Sequence, residues 1–202
     1  MEQGKGRPAV FLDRDGTINE ETGYLDRLEK LSLIPGAAEA IRLLNGQGIK
    51  VVVVTNQSGV ARGLFDEAFI GTLHARLTAI LRQEGAALDG IYYCPHHPTE
   101  GQEPYRLRCD CRKPAPGLLL LACEELGLDC SRSYMVGDTL YDIEAGARAD
   151  IRGILVRTGY GNAAAETLAA PRANDGTMAV QPVHIATDLL DAVKWILERD
   201  AR

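Results

Sequence analysis

The stretch Phe11-Leu12-Asp13-Arg14-Asp15-Gly16-Thr17 decides both the fold and the chemistry of this chain. The apolar residues that precede Asp13 are typical of a buried strand, and two carboxylates one residue apart follow it directly. Open α/β sheets place their ligands at the carboxyl ends of their strands. Two acids on one side of a strand end repel each other unless a cation or a proton separates them. The stretch therefore predicts a metal site, a proton-transfer site, or both.

The composition is that of one ordinary globular domain, which we expect to span residues 1–202. Hydrophobic residues make up 46% of the chain and charged residues 25%. A net charge of −6 argues against nucleic-acid binding, and no apolar run approaches the roughly 20 residues that a membrane span requires. The first residues lack the apolar segment of a secretory signal. We expect a cytoplasmic protein without nucleic-acid or membrane partners, and the composition is compatible with a monomer.

Strand-like and helix-like segments alternate along the chain. Apolar and β-branched runs predict strands at residues 8–12, 49–54, 90–94, 133–136, 153–156 and 183–186. Helical periodicity predicts helices at residues 37–46, 66–84, 116–126, 141–149 and 188–198. This order predicts an α/β fold with a doubly wound, mostly parallel sheet. Residues 162–181, rich in Ala, Gly, Asn and Pro, are expected to form a surface loop.

Polar residues follow or precede several of the predicted elements. The run Thr55-Asn56-Gln57-Ser58 follows the second strand, Lys113 precedes the helix at 116–126, and Asp138 follows the fourth strand. Because the carboxyl ends of parallel strands meet at one edge, these groups and Asp13 are expected to share a crevice. Acids with a divalent cation, a lysine and backbone N–H donors are what phosphoryl transfer requires.

Three of the five cysteines lie within residues 94–111. The pairs Cys94-Pro95-His96 and Cys109-Asp110-Cys111 are each spaced so that both side chains of a pair face one point from an extended chain. Three thiolates and one imidazole form a common structural zinc site, and an odd cysteine count without a signal favours metal over disulfides. The alternatives are His97 as the fourth ligand, or three thiols without metal.

The two remaining cysteines are expected to have no part in metal binding. Cys123 lies on a leucine-rich helix and is expected in the core, whereas Cys130 is expected to be a free thiol. The zinc loop has a mechanical consequence, because Cys111 is followed at once by Arg112 and Lys113. A metal that fixes Cys111 also fixes the direction in which those two cations enter the crevice.

The motif Asp-x-Asp-Gly-Thr, together with Thr55, Lys113 and the pair Gly137-Asp138, resembles the four motifs of the haloacid dehalogenase superfamily of phosphatases. The resemblance covers residues 8–160. It implies that Asp13 is the nucleophile that forms an aspartyl-phosphate, and that Asp15 is the general acid and base. In that role Asp15 has to hold a proton near neutral pH, and we expect the charge of Asp13 to raise its pKa.

The resemblance also implies a magnesium ion, held by Asp13, the backbone carbonyl of Asp15, and Asp138. The chain has no room for the large cap domain of many superfamily members. We expect instead a short lid made of residues 19–30 and the zinc loop.

Longer matches narrow the resemblance. Residues 11–19, 53–63, 91–98 and 109–114 resemble the D-glycero-D-manno-heptose-1,7-bisphosphate 7-phosphatase family, whose members act in the biosynthesis of nucleotide-activated heptose for lipopolysaccharide or surface glycans. The histidinol-phosphate phosphatases share these motifs, including the zinc loop, and are the main alternative. A phosphotransferase and a non-catalytic zinc-binding module are further alternatives. A dehydrogenase is disfavoured, because no G-x-G-x-x-G follows the first strand.

A small phosphorylated sugar is therefore the expected partner. A substrate with two phosphates implies a second anion site, for which Arg112 is the leading candidate and Arg62 a weaker one. Thr139 stands where relatives often carry lysine, which removes one positive charge beside the phosphate. The resemblance implies substrate or phosphate contacts at Arg14, Glu21, Thr22, Gly23, Tyr24, Thr55, Asn56, Gln57, Ser58, Arg112, Lys113 and Thr139.

Overall fold

The centre of the protein is a six-stranded, all-parallel sheet. The structure, a computed structural model, describes residues 6–170 and 180–200. The four central strands are short and mostly buried, as expected of a sheet covered on both faces, whereas the two edge strands are partly exposed. The strands are β1 (Ala9–Leu12), β2 (Lys50–Asn56), β3 (Gly90–Cys94), β4 (Tyr134–Gly137), β5 (Arg152–Val156) and β6 (His184–Ala186). Their order across the sheet is β3-β2-β1-β4-β5-β6.

Helices connect the strands and cover the sheet. They are α1 (Ala37–Gly46), α2 (Glu67–Gln83), α3 (Gly117–Leu126), α4 (Leu140–Arg148), α5 (Gly161–Ala169) and α6 (Leu189–Asp200), with 3₁₀ turns at Leu28–Lys30 and Cys130–Arg132. The predicted doubly wound α/β fold is confirmed, with element ends shifted by one or two residues. Pro116 is the N-cap of α3 and not part of its first turn.

One predicted surface loop is partly wrong. Residues 162–181 were expected to be irregular, but α5 occupies Gly161–Ala169. Its two buried residues, Gly161 and Ala165, are small. Small residues add little to the hydrophobic periodicity that marks a helix, so this helix could not be recognised from the sequence pattern. Residues 171–179 of that predicted loop lie outside the described residues.

The strands bury both faces against helices. In β2, Val51 and Val53 pack with α1, α2 and α6 on one side, while Val52 and Val54 pack with α3 and α4 on the other. This arrangement follows from the period of two along a strand, and it explains why the run is apolar without alternation.

The order of the strands creates a crevice at one edge of the sheet. From β1 the chain builds outward to β2 and β3, and it then returns to place β4 on the other side of β1. Ligands in open α/β sheets bind outside the carboxyl ends of the strands at such a switch point. Asp13 follows β1 and Asp138 follows β4, so the two acids lie at this point.

Of the two segments predicted to form a short lid, residues 19–30 reach the crevice, whereas the zinc loop lines an adjoining cleft. Glu21, Gly23, Tyr24 and Leu25, from the connection between β1 and α1, line the crevice. No element within residues 6–170 and 180–200 builds a separate cap domain. Across the same residues, no helix is both long and apolar enough to cross a membrane.

The cysteines at 123 and 130 form a pair that was not predicted. The structure joins Cys123, near the end of α3, and Cys130, in the 3₁₀ turn that follows, by a disulfide. Both residues are partly buried against the core layer below α3. Cys123 thus packs against the core as predicted, but the expectation that Cys130 is a free thiol is wrong. The turn at Gly127 brings the chain back beside the helix, which spacing alone does not reveal.

Candidate active site

Asp13 lies at the bottom of the crevice, directly after β1. Its backbone N–H donates to the carbonyl of Val136 in β4 at 2.9 Å, which fixes the chain where the two strands end. Its carboxylate accepts a hydrogen bond from Lys113 Nζ at 2.8 Å. Burial raises the pKa of Asp13 to about 6, although the charge of Lys113 pulls the pKa down. Asp13 is thus a partly exposed carboxylate paired with a buried lysine.

Lys113 is almost fully buried, and its ammonium group has three partners. Besides Asp13, its ammonium group lies 2.5 Å from Asp142 and donates to the carbonyl of Val54 at 2.7 Å. Burial works to lower the pKa of Lys113, but the charges of Asp13 and Asp142 outweigh it and raise the pKa above its ordinary value. Asn56 also holds the backbone of Lys113 at both ends, through bonds of 3.0 and 3.1 Å.

Asp15 differs from its predicted charge state. Arg14 donates to its carboxylate twice, at 2.7 and 3.1 Å, and Asn19 and Gln57 each donate once at 2.9 Å. Burial works to raise the pKa of Asp15, but the charge and hydrogen bonds of Arg14, with the other two donors, lower it overall. The expected rise caused by Asp13 is wrong, because donors from three parts of the chain surround Asp15.

A group of three carboxylates faces the crevice: Asp13, Asp138 and Asp142 have ligand oxygens within 4.8 Å of one another. Burial, and then the charge of Asp13, raises the pKa of Asp138 to about 8. Asp138 Oδ2 accepts from the backbone N–H of Tyr160 at 2.8 Å, whereas Oδ1 is buried without a hydrogen-bond partner among the described residues. An unsatisfied buried carboxylate oxygen beside two other acids fits a bound cation.

Gly16 leaves room for this acid group. It has a positive φ of 77°, and a Cβ at this position would collide with the Asp138 carboxylate. The glycine that ends the Asp-x-Asp motif is therefore required by the neighbouring strand as well as by its own turn.

The crevice is a cleft of about 280 Å³. Most residues predicted to contact substrate line it, together with Asp13, Asp15 and Asp138: Glu21, Gly23, Tyr24, Thr55, Asn56, Gln57, Ser58, Lys113 and Thr139. Thr139 also begins α4, where its backbone N–H and hydroxyl donate to Asp142 at 3.0 and 2.6 Å.

Three residues predicted to contact phosphate or substrate do not line the cleft. Arg14 is 1% exposed and turned toward Asp15 and the core, so its predicted phosphate contact is wrong in this geometry. Thr22 is exposed beside the cleft. Arg112 lies in an adjoining cleft, where it donates to the carbonyl of His96 at 3.2 Å. Arg62, the weaker candidate for the second anion, is paired with Glu100.

The four predicted zinc ligands converge. The three thiol sulfurs lie 3.0, 3.1 and 3.5 Å apart, and His96 Nδ1 lies 3.2 Å from Cys111 and 3.7 Å from Cys94. His97 faces elsewhere, since its Nδ1 accepts from the backbone N–H of Glu100 at 2.9 Å. Of the two histidines considered, His96 is the one in the group. Three sulfurs and one nitrogen within 4.8 Å of one another fit a tetrahedral metal.

Several residues of the site were given no catalytic or binding role in the sequence prediction. Asp142 was recognisable only from its position one helical turn after Asp138. Asn19 binds Asp15, and Tyr141 and Tyr160 line the mouth of the cleft. These three carry no sequence signal that separates them from ordinary surface or turn residues.

An acid group, a buried lysine and an amide-rich turn at the switch point of a parallel sheet define a class of enzymes that transfer phosphoryl groups. The family model described as haloacid dehalogenase-like hydrolase matches residues 2–150, and a second model of the same kind matches residues 110–192. The chain therefore belongs to the haloacid dehalogenase-like hydrolase family.

Similar proteins carry the name of one particular phosphatase, which is narrower than the family. A D-glycero-beta-D-manno-heptose-1,7-bisphosphate 7-phosphatase from Photorhabdus laumondii is 50% identical over 156 residues, which cover 77% of this chain and 83% of that protein. The protein of the same name from Escherichia coli K12 is also 50% identical, covering 77% of this chain and 82% of its own.

A solved structure is similar over nearly the whole chain. It is D,D-heptose 1,7-bisphosphate phosphatase from B. bronchiseptica complexed with magnesium and phosphate, with a TM-score of 0.79 and 34% identity, covering 95% of this chain and 99% of that one.

Proposed function

We propose that this protein is a magnesium-dependent phosphatase that removes the 7-phosphate of D-glycero-D-manno-heptose 1,7-bisphosphate, through an aspartyl-phosphate on Asp13. The observation that carries the chemistry is the convergence of Asp13, Asp138 and Lys113 in one cleft. The substrate is proposed from the relatives that are 50% identical and bear this name. The reaction belongs to the biosynthesis of nucleotide-activated heptose, and we place it in the cytoplasm.

In the first step, an Asp13 oxygen bonds to phosphorus while the bond from phosphorus to the sugar oxygen breaks. The ammonium of Lys113, 2.8 Å from Asp13, offsets the charge that gathers as the phosphate approaches. Thr55 and the turn that follows it line the cleft where the phosphoryl oxygens would lie. The departing sugar oxygen takes a proton from Asp15.

Asp15 enters this cycle as a carboxylate, because its four hydrogen bonds lower its pKa. The proton that it passes to the sugar oxygen has to be taken up as the phosphate binds, since incoming negative charge raises the pKa of a neighbouring carboxyl. In the second step, water bonds to phosphorus, the bond to Asp13 breaks, and Asp15 accepts the proton of that water.

Magnesium fits the group of three carboxylates formed by Asp13, Asp138 and Asp142. Asp13 and Asp138 would hold it, with the backbone carbonyl of Asp15, and Asp142 lies close enough to join or to orient Lys113. When bound, the ion would neutralise phosphoryl charge and stabilise the transition state as a Lewis acid. The carboxyl side chain of Asp15 is held by Arg14 and takes no part in this group.

Zinc fits the second group, Cys94, His96, Cys109 and Cys111, as a structural ion. Its proposed effect on activity runs through the chain, because Cys111 precedes Arg112 and Lys113 directly. The lysine reaches Asp13 only if this segment enters the cleft at the observed angle.

The second phosphate of the substrate would lie in the adjoining cleft. Arg108, Arg112 and Arg148 line that cleft, and Lys113 and Tyr141 line both clefts. A sugar with phosphates at both ends would therefore cross Tyr141. Histidinol phosphate carries a single phosphate and offers no second phosphate to these arginines, and for this reason we favour the heptose bisphosphate.

The test compares kcat/KM for both anomers of heptose 1,7-bisphosphate and for histidinol phosphate, with magnesium present and with free phosphate measured as the product. We expect at least about a 100-fold preference for a heptose bisphosphate, since histidinol phosphate lacks the charge-assisted hydrogen bonds, about 1.5–3 kcal/mol each, that a second phosphate would make with these arginines. A preference for histidinol phosphate would overturn the substrate. If the phosphate passed to an acceptor other than water and no free phosphate appeared, the protein would be a phosphotransferase.

A further inference from the structure

His74 is a buried histidine that the proposed reaction does not use. It lies in the middle of α2 and is 8% exposed. Its Nε2 is 3.1 Å from Nη1 of Arg14, the arginine that holds Asp15. The pair joins α2, which lies outside the cleft, to Asp15, one of the acids that line it.

The direction of this hydrogen bond is fixed by chemistry. A guanidinium has only donors and keeps its proton in proteins, so His74 Nε2 has to accept. The imidazole is therefore neutral, with its proton on Nδ1. Burial, and then the charge of Arg14, lowers the pKa of His74 to about 4, so the ring remains neutral at physiological pH.

The bond divides the guanidinium between two partners. Nε and Nη2 of Arg14 face Asp15 at 3.1 and 2.7 Å, and Nη1 faces His74. A planar group that is held on both edges cannot rotate without breaking one of these contacts. Without His74, the edge toward Asp15 would be the only one held by a described side chain.

The ring of His74 is itself held in place. It packs edge-on against Tyr93, with ring centroids 5.6 Å apart, and the Tyr93 hydroxyl donates to Glu67 at 2.6 Å. Glu67 also accepts from Tyr105 at 2.6 Å. The orientation of the imidazole is thus set by its contact with a hydrogen-bonded group outside the set of cleft-lining residues.

We infer that His74 is a positioning residue, which acts through Arg14 to hold the Asp15 carboxyl toward the leaving oxygen of the substrate. The inference rests on the proposed function, in which Asp15 is the general acid. It predicts a selective defect, because a poorly placed acid harms only the reactions that need protonation of the leaving group.

The experiment compares two substrates in His74→Leu, which removes the acceptor but keeps a buried apolar side chain. For heptose 1,7-bisphosphate, an alkyl phosphate with a poor leaving group, we expect kcat/KM to fall by about tenfold to 100-fold. For p-nitrophenyl phosphate, whose leaving group departs without a proton, we expect a fall of less than about threefold. His74→Gln, whose side-chain amide offers an acceptor near the position of Nε2, should restore most of the ratio.

The matched control is Leu77→Ala, on the same helix and fully buried. It creates a cavity without removing a hydrogen bond to Arg14, so it should change both substrates equally. If His74→Leu folds poorly, Arg14→Lys gives the same test, because lysine cannot bind Asp15 through two parallel donors. An unchanged ratio of the two substrates in His74→Leu or in Arg14→Lys would overturn the inference.

The same assays distinguish failure of the proposed function from failure of the inference about His74. If the wild-type protein hydrolyses neither substrate, the proposed phosphatase function is wrong, and the inference about His74 fails with it. A wild-type protein that hydrolyses both, together with a His74→Leu variant that slows both equally, would reject only the role of His74.

Discussion

Replacing Lys113 by methionine tests the electrostatic design of the cleft. Methionine keeps most of the apolar length of the side chain but removes the cation that lies 2.8 Å from Asp13 and 2.5 Å from Asp142. Both acids are then left close together without a positive partner. Removing one member of a buried ion pair costs about 3–5 kcal/mol, because the remaining charge stays desolvated.

We therefore expect Lys113→Met to lower the free energy of unfolding by about 3–5 kcal/mol at pH 8, in zinc-loaded protein without magnesium. For a protein of this size that loss corresponds to roughly 6–15 °C in Tm. The loss should be smaller at pH 5, where the carboxyls that the lysine leaves behind can take up protons. Activity should fall at least about 100-fold, because phosphoryl charge loses its nearest side-chain cation.

Thermal and urea unfolding, followed by circular dichroism at both pH values, measure the change. The matched control is Lys50→Met, which breaks a partly exposed pair with Asp89 at 2.6 Å. That pair should contribute no more than about 1 kcal/mol at either pH. If Lys113→Met costs no more than Lys50→Met, or costs the same at pH 5 and pH 8, the electrostatic reasoning is wrong.

Three further predictions concern the nucleophile, the acid group and the zinc loop. Asp13→Asn should reduce turnover at least about 1,000-fold with cooperative unfolding retained, and activity near wild type would mean that the nucleophile is misassigned. Burial raises the pKa values of Asp13 and Asp138 to about 6 and about 8, and groups with raised pKa values lose their stabilising contribution as pH rises through those values. Without magnesium, the free energy of unfolding should therefore fall from pH 5 to pH 9, by about 1.4 kcal/mol for Asp13 alone, because only the part of its shift between pH 5 and about 6 lies in this range. Magnesium should reverse the loss, and a flat profile would contradict this. Cys109→Ala should lose zinc and activity together while Cys130→Ala keeps zinc, as measured by metal analysis beside the kinetic assay; full activity in zinc-free protein would refute the role of the loop.

The architecture of this protein is largely readable from its sequence. Apolar runs such as that of β2 are long enough to mark buried strands, and their alternation with helices leaves few topologies open. Because parallel strands end at one edge, the convergence of Asp13, Asp138 and Lys113 follows from the order of the elements. The cysteine pairs were equally informative, since their spacing restricts where their side chains can point.

The parts that were not predicted depend on contacts between distant segments. The charge state of Asp15 is set by Asn19 and Gln57 as well as by Arg14, and neither partner is marked by spacing. Arg14 itself adjoins two site acids in sequence, yet its side chain turns inward to His74, sixty residues away. Sequence patterns identify which strand end a residue follows, whereas the direction of a long side chain depends on the packing around it.

The most direct test of the proposed chemistry is to trap the phosphoryl group on the protein. Enzyme that is turning over heptose 1,7-bisphosphate with magnesium would be quenched in acid and reduced with borohydride, which converts an aspartyl-phosphate to homoserine. Peptide mass spectrometry then locates the converted residue. The proposed mechanism predicts homoserine at position 13, and none in Asp13→Asn. Conversion at a different aspartate, or full turnover with no converted residue under rapid quenching, would contradict it.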